Sequence, residues 1–111
     1  AMGGSFDLTV HEGYPPTVLD PEATQIALNA AAEFLGEGNA PQAPMVMAAE
    51  DFAYMAQAAP GSFLRLGTHN PEWPQRYFVH TSTFRIDEDA LPIGAAALAA
   101  AAVKWMQEKR A

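Results

Sequence analysis

Ala90-Leu91-Pro92-Ile93-Gly94-Ala95-Ala96-Ala97-Leu98-Ala99-Ala100-Ala101-Ala102-Val103-Lys104-Trp105 is the stretch on which the fold turns. Leu91, Ala95, Leu98, Ala102 and Trp105 recur at spacings of four, three, four and three, which predicts a helix with one apolar stripe. Lys104, Lys109 and Arg110 gather at its end, where cations suit the negative pole of the helix dipole. Asp87-Glu88-Asp89 stands before it and supplies the matching negative charge at its start; it lacks the alternating oxygen ligands of a calcium loop. The run from Ala90 to Val103 carries no charge but is shorter than a bilayer requires, so it reads as a buried helix whose alanines allow close approach to a packed surface.

Working back along the chain, Asp20-Pro21-Glu22 offers an N-cap oxygen, a proline suited to the first helical position and a favourable first-turn acid. This predicts a helix from Pro21 to Leu35, with Ala23, Ile26, Ala27, Ala30 and Phe34 on its core face and Gly36 ending it. A third helix is predicted from Asp51 to Ala58. Phe6, Leu8 and Val10 alternate with Asp7, Thr9 and His11, the period of a half-exposed strand. Met45 to Met47, Phe63 to Leu66 and the aromatic Tyr77 to Val79 read as further short strands. Short strands alternating with three helices predict an α/β architecture.

Composition narrows the function. The chain has 111 residues, half of them hydrophobic, enough for a core and too apolar for a disordered chain. A packed domain of that length has a radius of gyration of about 13 Å. Thirteen acidic residues against six basic ones give a net charge of −7 and make nucleic acid and anionic membranes poor partners. Without cysteine there is no disulfide, thiolate metal site or Cys nucleophile. Cytoplasm is the default compartment, and Ala1-Met2 has the look of a cloning remnant rather than a signal peptide. No phosphate loop, nucleophile elbow or HExxH pattern is present.

Single residues leave alternatives open. His80 follows an aromatic stretch and precedes the long helix, where an imidazole suits either a metal or a structural role. Glu50 and Asp51 sit where a helix begins, so they either favour its N-terminus or orient a substrate and move protons. His69 reads as a solvated loop residue and His11 as an exposed strand residue. A mononuclear zinc site made of His11, His69 and His80 has nothing in the spacing to put the three on one face.

Taken in order, four motifs say more. Gly13-Tyr14-Pro15-Pro16-Thr17-Val18, Met47-Ala48-Ala49-Glu50-Asp51-Phe52, Phe63-Leu64-Arg65-Leu66-Gly67-Thr68, and His80-Thr81-Ser82-Thr83-Phe84-Arg85-Ile86-Asp87-Glu88-Asp89 running on to Gly94 closely resemble the C-terminal portion of the M20 metallopeptidase family. The nearest branch resembles the amidohydrolases of hippurate and other N-acyl amino acids. The family often has glycine where Ala48 stands and proline where Ser82 stands.

The resemblance implies an α/β catalytic domain holding two divalent cations, zinc or manganese, with a lid domain that mediates dimerisation. Residues 1–15 would comprise the remnant, the last lid strand and the return hinge; residues 16–111 would be the closing part of the catalytic domain. His80 matches the family's final metal-binding histidine, Glu50 and Asp51 the acidic loop beside the site, and Gly67 and Thr68 its lining. The implied reaction is hydrolysis of an N-acyl amino acid by a metal-activated water. The family's earlier ligands and its catalytic glutamate pair have no counterpart here, so no catalytic residue lies in these 111 residues and the chain alone is expected to be inactive. The alternative is a non-catalytic binding or assembly module that dimerises through its first strand and last helix.

Overall fold

The structure, a computed structural model, describes residues 3–109. Three helices follow one another: α1 (Pro21–Leu35), α2 (Phe52–Ala58) and α3 (Ala90–Glu108). Everything between them is turn, bend or irregular backbone.

The ends of α1 form as its sequence dictates. Asp20 Oδ1 accepts from the Ala23 amide at 2.8 Å, Pro21 opens the first turn, and Gly36 closes the helix at φ 88°, its amide donating to Ala32 O at 2.9 Å. Asn39 Nδ2 donates to Leu35 O at 2.8 Å and satisfies one more terminal carbonyl. Ala23, Ile26, Ala27, Ala30 and Ala31 are buried on one face. Phe34 is 44% exposed, and Ala31 occupies the core face in its stead.

That alanine face explains how α3 docks. α1 and α3 are the one pair of helices packed on each other among the described residues. Backbones approach closely only where both sides are small, so α3 turns an alanine and glycine face inward. Its half-buried positions are Gly94, Ala97, Ala100, Ala101, Lys104 and Trp105. The expected stripe is therefore displaced by about one residue, or roughly 100° around the helix: Leu91, Ala95, Leu98 and Ala102 are exposed, and Trp105 alone of the five faces partly inward. Two ion pairs fasten the C-terminal half, Lys104 to Glu33 and Lys109 Nζ to Glu22 at 2.7 Å. Only Ala90 of α3 is fully buried, so this is not the buried helix that its composition suggests, and at 19 residues it is long and apolar enough to cross a membrane by those two measures alone.

The α/β expectation fails. No strand is present among the described residues. A strand exists through ladder bonds to a neighbouring backbone, and none of the four candidate segments finds one. Phe6, Leu8 and Val10 keep their alternation but are 86%, 75% and 75% exposed; Met45 and Met47 are fully so. Apolar patterning at a period of two marks a segment able to pair, not one that has paired. The radius of gyration is 19.0 Å, well above the packed-domain value.

What holds the rest is a chain of local contacts. The Asp20 amide donates to Gly61 O at 3.0 Å, joining the start of α1 to the turn after α2. Phe52 and Phe63 lie tilted at 5.3 Å across that turn, and Tyr14 rests on Tyr54 at 5.7 Å. Leu66 lies on Gly94, so close that an added Cβ there would meet Leu66 Cδ2 at 2.7 Å. The glycine lets the Leu66 side chain lie against α3 in this rotamer.

Candidate functional site

Two carboxylates stand at the head of α2. Glu50 is half-buried and its Oε1 accepts from the Phe52 amide at 3.2 Å; Glu50 O and Asp51 O accept from the Ala53 and Tyr54 amides at 3.2 and 3.0 Å. Glu50 thus caps the helix, the structural alternative left open above, while the Asp51 side chain makes no capping bond and is exposed. One of the two is committed locally; the other is available to solvent.

Gly67 and Thr68 follow Leu66, which anchors them to α3. Thr68 is half-buried and its carbonyl accepts from the Asp87 amide at 2.8 Å, drawing the loop after residue 66 onto the segment just before α3. Asp87 also receives the Asp89 amide on Oδ1 at 3.1 Å and the Ala90 amide on its carbonyl at 3.1 Å, so the acidic run does serve the start of the helix.

His80 lies in the turn between these parts. Thr81 Oγ1 donates to Phe78 O at 2.8 Å and the Phe84 amide donates to Thr81 O at 3.2 Å. Its imidazole is exposed, not packed among apolar neighbours. Its φ of 62° makes it the one non-glycine residue in the left-handed region among those described. Backbone held there costs roughly 1–2 kcal/mol for an L residue, and such outliers cluster where a side chain must point in a set direction.

Thr68 is therefore joined to the segment that follows His80. Glu50 and Asp51 stand at the head of α2 instead, and two open hollows on the surface, one lined by Val18 to Pro21 with Ala56 to Pro60 and one by Glu12 to Pro15 with Tyr54 and Gln57, contain none of the five candidate residues. Arg85 lies over the Trp73 and Tyr77 rings, and none of the three is among the sequence's site candidates. The signal was available as an arginine beyond an aromatic-rich loop, but nothing in the spacing announces that they meet.

Residues 4–104 match the family described as peptidase family M20/M25/M40. The chain belongs to it. IAA-amino acid hydrolase ILR1-like 6 of Arabidopsis thaliana is 35% identical over 96 residues, covering 86% of this chain and 21% of that protein. IAA-amino acid hydrolase ILR1-like 2 of the same plant is 37% identical over 98 residues, or 88% and 22%. Thermostable carboxypeptidase 1 of Saccharolobus solfataricus is 38% identical over 92 residues, or 83% and 23%. The M20 chain thus spans between a fifth and a quarter of the length of these relatives. No solved structure matches it significantly.

An M20 protein is generally metal-dependent, which sets a test for the residues present. They do not fit a metal by themselves: among the described residues no three of His, Asp and Glu gather as a cation's donors. The three-histidine zinc site is not assembled either. The His80 imidazole and the Asp51 carboxylate are exposed, and no donor set surrounds either among the described residues.

Proposed function

We propose that this chain is the C-terminal segment of an M20-type amidohydrolase that cleaves the amide bond of N-acyl amino acids, hippurate-like in form, and that by itself it turns over nothing. The observation that carries this reading is the family match across residues 4–104. The relatives' names support the substrate class, because two of them are named IAA-amino acid hydrolases and the third a carboxypeptidase.

In this reading His80 contributes one donor to a site for two divalent cations, zinc or manganese, whose other ligands lie outside these residues. Exposure of its ring and the fixed left-handed backbone suit a group that must reach outward to a shared centre. Asp51, without a capping bond, is the carboxylate able to face that centre; Glu50, Gly67 and Thr68 hold the backbone around it. The substrate is a small molecule, the working protein a homodimer and the compartment cytoplasmic. With too few donors present, no step of hydrolysis is assigned to this chain's own residues.

The test is turnover of hippurate by the purified 111-residue polypeptide with added manganese or zinc, beside a longer polypeptide that contains it. The short chain is expected to be silent and the longer one active, with activity lost in His80→Ala. Turnover by the short chain, abolished by the same substitution, would refute the proposal. A non-catalytic module that self-associates is the second reading, favoured by the exposed Phe6, Leu8 and Val10 and by the outward Leu91 and Leu98 of α3. Light scattering that finds only an 11.9 kDa species at high concentration counts against it.

A further inference from the structure

Residues 78–84 leave and return at one place. Tyr77 stands before the loop and Arg85 after it. The Arg85 guanidinium carbon lies 5.3 Å from the centre of the Tyr77 ring and 3.9 Å from that of Trp73. Trp73 meets Tyr77 edge-on at 5.5 Å and His69 at 6.2 Å. Two residues further, the Asp87 amide bonds to Thr68 O at 2.8 Å. The base of the loop is thus closed twice, once by a cation on aromatic faces and once by a backbone bond, and His80 sits near the middle of what is enclosed.

We propose that Arg85 is a positioning residue for His80: stacked on Trp73 and Tyr77, it closes the base of the 78–84 loop and so holds His80 in its left-handed backbone. A free loop of this length would let residue 80 relax to negative φ, the region every non-glycine residue prefers. Joining the ends removes much of that freedom, since a closed loop has far fewer conformations than an open one. The internal bonds of Thr81 act over two or three residues only and leave the direction of the whole turn unset. A guanidinium over an aromatic face can set it, because the attraction operates within about 6 Å of the ring centre and strengthens as water is excluded. Trp73 and Tyr77 are both half-buried, which gives the contact a partly dry platform. Arg85 has no carboxylate partner among the described residues, although acids outnumber bases two to one in the chain, so its contacts are aromatic.

The consequence for a metal donor rests on the function proposed above, but the geometry can be tested without it. In the 111-residue chain, a positive φ brings the His80 amide and α protons close and gives a strong cross-peak between them in a nuclear Overhauser spectrum. Arg85→Met keeps the stem and removes the charge; the cross-peak is expected to fall several-fold while the α1 and α3 amide shifts stay in place. Arg85→Lys, which restores a cation over the rings, is expected to recover most of it. Trp73→Leu removes the platform and leaves Arg85 intact; it should match Arg85→Met, and it stands in if that variant does not fold. A cross-peak that survives in Arg85→Met and Trp73→Leu overturns the proposal, as does failure of lysine to rescue it. Neither result touches the hydrolase reading, which is decided by turnover in the longer polypeptide.

Discussion

Ile26 is the one large aliphatic residue buried among the described residues, 4% exposed on the alanine face of α1, whereas Leu98 on α3 is 67% exposed. Their truncations should therefore differ in a way that reports which face of α3 docks. Ile26→Ala deletes about three buried carbons, worth about 2.4 kcal/mol at ~0.8 each, and a cavity adds to this, so the loss falls within the usual 2–5 kcal/mol. Leu98→Ala removes a side chain that is about one-third buried, and alanine's higher helix propensity offsets part of the change, leaving on the order of 0.5 kcal/mol. With α1 and α3 spanning 15 and 19 residues, circular dichroism at the helical minimum follows their unfolding in urea directly. Ile26→Ala should shift the midpoint strongly and Leu98→Ala hardly at all. Equal shifts, or a larger one from Leu98, would mean that α3 packs through the leucine stripe and that the rotated alanine face is wrong.

Other expectations follow from single contacts. His80→Gly should raise stability over His80→Ala by about 1 kcal/mol, because glycine accepts φ 62° freely and alanine does not; comparison of the two urea midpoints decides it. Gly94→Ala brings a Cβ against Leu66 Cδ2, the far end of a flexible side chain, so Leu66 should swing aside and the gain of up to ~1 kcal/mol in helix propensity should survive in part, with the shift visible at the Leu66 methyls. Glu22→Gln should cost no more than about 1 kcal/mol, since the Lys109–Glu22 pair is largely exposed, and added salt should erase the difference.

Local chemistry was legible and long-range pairing was not. Asp20, Pro21 and Gly36 declare the ends of α1 because each acts within four residues of itself. The face of α3 was not declared, because a run of alanines offers two apolar stripes and hydrophobicity prefers leucine, while packing against an alanine-faced α1 prefers the smaller one. Likewise, Phe6 to Val10 carry the pattern of a strand, but pairing needs a second backbone that the pattern does not name. Of the candidate site, the place of Glu50 and Asp51 at the head of α2 was legible in the sequence; the left-handed backbone of His80 was not, and the meeting of Arg85 with Trp73 depends on how two loops fold back and left no mark in the spacing.

Surface area bears on why one helix pair and a few loops carry so many exposed apolar groups. A folded chain of this mass exposes about 6,000 Å², and this one exposes 9332 Å². The excess, roughly 3,300 Å², is more than one partner loses in a standard interface of about 800 Å² per side. A single self-association through α3 would leave most of it uncovered. A larger covering body accounts for it better, and the matched relatives, about four times the length of this chain, are of a size to provide one. On this argument the longer polypeptide should protect Phe6, Leu8, Val10 and Leu98 from solvent together. Covalent footprinting that finds these side chains as reactive in the longer protein as in the 111-residue chain would break the link between the exposed surface and the proposed enzyme.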